Sequence, residues 1–344
     1  MPGIPMESDS SLYLRAPDDM HLHLRQGEAL ISYSRDSARY FARGLVMPNT
    51  QPPLLREEDL RDYRRRIIDG APEFFPLMTF KLLESTNPEQ IQALKEAGAL
   101  AGKLYPRGAT TNSEDGVSNF AAIDGCLEAM SAQDLVLCVH AEEPGAPALK
   151  READFLHRLD AILNRHTKLK LVVEHVSTAE AVSFVQACGD RVGASVTVHH
   201  LLLTIDDLLG EKLKPHLFCK PVVKNNSDRK ALREAVFAGD PKFFFGSDSA
   251  PHLRIAKESA ASAAGVYTAP VAFPLLLELF ETTGNLDYLE GFTSKFGADF
   301  YGLPLNSKRI RCYKQSWRVP EEFSGVVPLY AGRSLQWKAE LEDS

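Results

Sequence analysis

His21-Leu22-His23 places two imidazoles one residue apart, and period-two alternation sends both to one side of an extended segment while Leu22 and Leu24 point to the other. That is a two-nitrogen chelate. Four further histidines, His140, His175, His199 and His200, end short β-rich runs, as do Lys103 and Asp248. A single histidine in such a place is more often a hydrogen-bonded structural residue, but six of the ten histidines in the chain share the placement, and that reading does not account for the set. Nitrogen and oxygen donors without sulfur suit zinc or a similar divalent metal.

His21, His23, His140, His175 and Asp248 are more ligands than one catalytic zinc uses, which points to two metals. Two divalent ions bring four positive charges, neutral imidazoles none, and Asp248 a single negative one. A Lys103 ammonium beside them would add to the imbalance, and burial near cations lowers its pKa from about 10.4. The neutral amine so favoured can take up carbon dioxide and become an anionic carbamate that bridges the metals. The alternative for Lys103 is a strand-end lysine that extends to solvent.

The elements that must position these groups repeat along the chain as a β-rich run ending in polar residues, then a helical stretch. Eight such runs stand out: residues 18–24, 44–49, 74–80, 101–106, 135–140, 169–176, 194–200 and 242–248. Their mean spacing of about 32 residues is what a strand plus crossover helix requires. Between them are helix start signals such as Asn87-Pro88-Glu89, Ser177-Thr178 and Ser227. Eight alternations predict an α/β chain folded as a closed parallel (β/α)8 TIM barrel, whose active site lies at the C-terminal ends of the strands. We expect one domain over 1–344, the barrel at about 12–300 and a cap at about 301–344. After Asp248 the sequence predicts a Ser/Ala-rich loop, helices over 270–282 and 286–300, and an irregular tail. The residues before the first run are too few for a separate β domain.

A net charge of −7 disfavours a nucleic-acid partner, so an anionic substrate must meet a local cluster of cations. The five cysteines are scattered and never spaced C-x-x-C, which fits a reducing cytoplasm and suggests neither disulfides nor a thiolate metal site. Met1 to Ser11 lacks a signal pattern, and the longest apolar stretch, Val271 to Phe280, is interrupted by Pro274 and too short to span a membrane.

Larger motifs add to this. The segments DMHLHLRQG (19–27), MPNTQPP (47–53), GKLYPRGATTNSEDGV (102–117), VHAEE (139–143), EHVST (174–178), HHL (199–201), CKPVVK (219–224) and GSDSAPH (246–252) resemble those of the type II dihydroorotases of the amidohydrolase superfamily. H-x-H alone recurs across that superfamily; KLYP with ATTNS, MPN and SDSAPH is more specific. Gln26-Gly27, where type I members have Pro-Gly, supports type II.

The resemblance implies two zinc ions per subunit, bridged by Lys103 as N6-carboxylysine, one held by His21, His23 and Asp248 and the other by His140 and His175. It implies reversible interconversion of N-carbamoyl-L-aspartate and L-dihydroorotate, a step of pyrimidine synthesis, in a homodimer, with Asp248 moving the proton. Arg25, two positions beyond the chelate, offers a fork of donors suited to the substrate carboxylate. Residues matching Asn49 and His252 complete that clamp in the family, and His140 also meets the substrate. Thr110 and Thr111 lie in a small, polar stretch without apolar anchors that reads as a mobile lid. Val223 and Ala264 are further substrate contacts through their backbones, although the 258–270 segment lacks the cysteines some relatives carry there. His200 matches a position near the second metal. Read without the resemblance, Arg25 is a surface pair, Asn49 a turn residue and His252 a loop histidine. Rival readings are a hydantoinase or allantoinase, sharing the metals but not the clamp, and a catalytically silent barrel, whose mark would be lost ligands; every matched ligand position is kept.

Overall fold

The computed structural model describes residues 11–342. Met1 to Ser10, most of the stretch read above for a signal pattern, and the last two residues of the cap lie outside that range. After a short strand β1 (Leu12–Arg15) come eight parallel strands: β2 (Asp18–Leu22), β3 (Arg43–Val46), β4 (Phe75–Leu82), β5 (Ala99–Leu104), β6 (Val136–Val139), β7 (Leu171–Val173), β8 (Val192–Val196) and β9 (Phe243–Phe245). Each pairs with the next in sequence order. The barrel closes where Ser249 bridges Leu22, where the Asp248 N–H donates to His21 O (2.8 Å) and where Asp19 accepts from the Ser247 N–H (2.7 Å). All eight strands fall within runs expected from the sequence, apart from one- or two-residue offsets at their ends.

The strands are buried on both faces, as in a sheet wrapped by helices. Leu22, Val46, Phe80, Leu104 and Val139 pack into the layer under the helices, while Met20, Leu45, Leu77, Ala101, Val172 and Phe244 fill the barrel. A register shift between Asp19 and Leu22 lets Met20 join the interior filling while His21 and His23 turn toward the mouth. The floor is closed by the helix Phe296–Phe300 and Tyr301. Gly297 permits that closure, since a Cβ there would stand 2.8 Å from Met20 Cγ.

The crossover helices begin near the expected signals. Thr178 caps Ala179–Ala187 by accepting from the Ala181 N–H, but the cap of Asn226–Phe237 is Asn225 instead of Ser227, because its side chain accepts from the N–H groups of both Ser227 and Asp228. The tail also departs from expectation. Helices follow the barrel as far as Phe300, but the later residues are not irregular: β10 (Arg309–Arg318) and β11 (Ser334–Leu341) pair antiparallel, and β10 pairs with β1. Leu12, Leu14, Ile310, Cys312, Leu335, Trp337 and Ala339 form the buried face of this small sheet, so the residues before the barrel and those after it make one element. No helix among the described residues is long and apolar enough to cross a membrane.

Candidate active site

His21 and His23 leave the end of β2, and Asp248 follows β9 across the barrel seam. Asp248 Oδ1 lies 3.1 Å from His23 Nε2 and 3.4 Å from His21 Nε2. The three residues form a cluster able to hold a metal ion. His21 Nδ1 lies 2.7 Å from Glu174 Oε2. A carboxylate only accepts, so Nδ1 carries a proton, and Nε2 is the ring nitrogen turned toward Asp248.

The other half of the site comes from strands farther round the barrel, none of them adjacent to β2 or β9. His140 follows β6 and His175 follows β7, with His140 Nδ1 and His175 Nε2 3.1 Å apart. His140 Nε2 lies 2.8 Å from Glu142 Oε2, which fixes this tautomer in the same way and leaves Nδ1 facing His175. Lys103, within β5, is fully buried, and its Nζ has no hydrogen-bond partner; the nearest carboxylate oxygen, Glu174 Oε1 at 4.0 Å, is also unpartnered, as is His175 Nδ1. Buried polar atoms are normally satisfied. A cluster of orphans on nitrogen and oxygen donors, flanked by imidazoles that turn a ring nitrogen toward another candidate ligand, is the arrangement a bound metal pair completes. Sequence reading missed Glu174 and Glu142, although the signal was there: an acid in the apolar run LVVEHV, and another two residues beyond His140.

Electrostatics favour ligands over charges. Burial pulls the His23 imidazole down to about 4 against the attraction of Asp248, and it pulls His140 and His175 below the usual histidine range. Burial also lowers the Lys103 ammonium, so its neutral amine is easier to reach. Burial opposes ionisation of Asp248, but the hydrogen bond from His23 and the nearby imidazoles prevail and hold it below the usual carboxylate range. Arg25, His175 and Asp248 have positive φ values of 59°, 42° and 42°. Three non-glycine residues held there by tertiary contacts at one cleft is strain concentrated at a functional site.

Around these groups is a narrow cleft. Of the sequence-predicted residues, His21, His23, Arg25, Asn49, Thr110, Thr111, His140, His175, Asp248 and Ala264 line it. Arg25 Nη2 donates to His252 Nε2 (2.9 Å), and its Nε donates to Pro251 O (3.1 Å), so Arg25 is not a surface ion pair. His252 falls to about 3, chiefly through burial and secondarily through Arg25, and so faces the guanidinium as a neutral acceptor. Asn49 Nδ2 donates to Thr111 O (3.2 Å), and Asn112 Nδ2 returns a bond to Asn49 O (2.9 Å), seating the 108–113 loop over the cleft. That loop has an apolar anchor the sequence reading did not see, because Ala109 is buried.

Val223 is not part of the lining. It is fully buried in the core beneath the helices, and the same segment presents Lys220 to the cleft instead. Tyr105, Ala250 and Gly265 also line it without having been singled out. His199 and His200 do not end a strand: they sit in a short helix, Val198–Leu202, capped by Thr197. With Cys219 they form a second cluster with the spacing of a metal site. However, His200 Nδ1 pairs with Thr197 Oγ1 (2.8 Å) and its Nε2 with Pro221 O (3.0 Å), while Cys219 Sγ donates to Pro221 O. His200 is therefore committed to the protein as neutral imidazole, with neither ring nitrogen left over for a metal.

Comparison with known proteins agrees with this geometry. Residues 19–310 match the amidohydrolase family. A dihydroorotase from Hahella chejuensis is 43% identical over 343 residues, covering 96% of this chain and 99% of the relative. A dihydroorotase from Stutzerimonas stutzeri is 45% identical over 340 residues, 96% of this chain and 98% of the relative. Among solved structures, a dihydroorotase from Saccharomyces cerevisiae in complex with 5-fluoroorotic acid superimposes with a TM-score of 0.92 at 32% identity, over 97% of this chain and 99% of that one. An L-hydantoinase from Arthrobacter aurescens, at 17% identity and a TM-score of 0.81, shares the fold.

Proposed function

The chain belongs to the amidohydrolase family and groups with its dihydroorotases, and from that premise we propose that it interconverts N-carbamoyl-L-aspartate and L-dihydroorotate, with loss of water on ring closure. The observation that carries the reading is a single cleft lined by the His21, His23 and Asp248 cluster together with His140, His175 and Arg25, with the unpartnered Lys103 buried in β5 and His252 bonded to Arg25.

In this reading His21, His23 and Asp248 hold one zinc ion, and His140 and His175 hold the other. Lys103 joins them as a carbamate, formed when its neutral amine adds carbon dioxide and releases a proton. The buried, unpartnered Nζ supports that step, since the anion would offset cationic charge that the neutral imidazoles cannot. When bound, the metals polarise the ring amide carbonyl and bring the pKa of water to about 7.

The chain's own groups do the rest. Arg25 presents its guanidinium to the substrate carboxylate, with Asn49 and His252 as companions. Asp248 is the carboxylate at the reacting centre. In hydrolysis it takes the proton of the attacking water and delivers it to the ring nitrogen as that nitrogen leaves; in cyclisation it takes the ureido proton and returns it to the departing oxygen. Thr110 and Thr111 cover the cleft and exclude bulk water. Ala264 contributes to the wall, and Lys220 adds a side chain from the 219–224 segment, in which Val223 can offer only its backbone.

We further read 1–344 as one domain of a homodimer working in the cytoplasm, in keeping with five free cysteines. The test is a substrate panel. Hydrolysis of L-dihydroorotate well above that of hydantoin or allantoin is expected, and the reverse order would transfer the chain to the hydantoinase side of the family.

A further inference from the structure

Lys257 ends the short helix Arg254–Lys257 and is 2% exposed, yet no carboxylate among the described residues pairs with it. Its ammonium instead donates to three backbone carbonyls, Phe218 O, Ala263 O and Gly265 O, each at 2.8 Å. An ammonium has three donors and no acceptor, so this set is complete. Burial lowers its pKa to about 8, which leaves it charged at neutral pH.

The three carbonyls belong to two segments of the cleft wall. Phe218 precedes Lys220, whereas Ala263 and Gly265 flank Ala264, and Lys220, Ala264 and Gly265 all line the cleft. The Gly265 N–H adds a bond to Phe218 O (2.9 Å) that ties the same two segments. From here contacts lead to the clamp. His252, which receives the Arg25 guanidinium, lies against this wall. Gly265 presses on the same ring: its φ is +148°, and a Cβ there would stand 2.9 Å from His252 Cδ2. Lys257 itself does not line the cleft.

We propose that Lys257 is a positioning residue for substrate binding, a buried tether that holds the 263–265 segment against Phe218 and thereby sets His252 and Arg25 for the substrate carboxylate. The inference rests on the function proposed above and extends it to a residue outside the cleft. A lysine that merely stabilised a loop would change folding stability without acting through Arg25.

The test is a double-mutant cycle on the metal-loaded protein with L-dihydroorotate, comparing wild type, Lys257→Met, Arg25→Ala and the pair. Lys257→Met is expected to raise KM about tenfold with kcat within about twofold and metal content unchanged. In the Arg25→Ala background the same substitution should alter kcat/KM by less than about twofold, because the group it positions is gone. Should Lys257→Met not fold, Lys257→Arg, which keeps charge and donors but not the fit to three carbonyls, carries the same cycle with a KM rise of about threefold. Equal effects in both backgrounds, or a loss confined to kcat, overturn the tether. A wild-type protein without dihydroorotate turnover overturns the functional reading and the clamp with it, whereas an active wild type with an additive cycle overturns the tether alone.

Discussion

At the N-terminal end of the barrel, Arg43 donates to both oxygens of Asp18 (2.8 and 2.6 Å) and to Pro304 O, and Asn306 adds a further bond to Asp18. At the other end, Lys103 is buried more deeply still and has no hydrogen-bond partner, four ångströms from a carboxylate oxygen that is equally alone. The same barrel therefore buries one basic side chain with its charge answered and another with its charge unanswered. A buried pair with well-formed hydrogen bonds fixes structure, and removing either partner leaves an uncompensated charge. A buried amine left short of partners is instead available to chemistry. The difference separates a floor that holds the barrel closed from a mouth that depends on a bound group.

Substitutions can break this contrast by making a mouth residue behave like a floor residue, or the reverse. The largest effect is expected from Asp248→Asn, which should lower kcat about a thousandfold while the protein stays folded and keeps much of its metal, checked by turnover and metal analysis. Near-normal turnover with full metal would remove Asp248 as the proton carrier. Arg43→Ala should do the opposite, costing about 3–5 kcal/mol in denaturant unfolding while the folded fraction turns over normally. Arg25→Ala sharpens the picture at the rim: KM for dihydroorotate should rise roughly thirtyfold with a smaller change in kcat, as expected for a lost charge-assisted contact. An unchanged KM would discard the clamp. The smallest effect is expected from Glu174→Gln, which keeps the shape but weakens the hold on His21 Nδ1, and metal affinity measured by competition with a chelator should fall about tenfold.

The mouth, though not the Arg43–Asp18 pair of the floor, was readable in the sequence. The eight strands and the placement of His21, His23, Lys103, His140, His175 and Asp248 at one end followed from local alternation and from the rule that strand ends converge. What escaped depends on residues far apart in the chain. The period-two pattern of 309–318 and 334–341 is weak alone, and its partner, Leu12 to Arg15, lies about 300 residues earlier. Similarly, the split between Val223 and Lys220 depends on how one loop turns between core and cleft, and composition carries no sign of it. His200 looked like the other strand-end histidines because nothing local reveals that Thr197 and Pro221 occupy both of its nitrogens. Glu174 and Glu142 were visible as acids in apolar surroundings, but their function as histidine orienters appears only with the geometry.

The central claim is that the mouth is a binuclear metal site that works on dihydroorotate, and a titration tests it directly. The protein would be stripped with a chelator, given zinc in measured steps, and assayed for L-dihydroorotate hydrolysis by ultraviolet absorbance at each step. Activity near zero in the stripped protein, rising to a plateau at about two zinc ions per chain, is the expected result. Full turnover without metal, or a metal-replete folded protein that leaves dihydroorotate untouched, would contradict it.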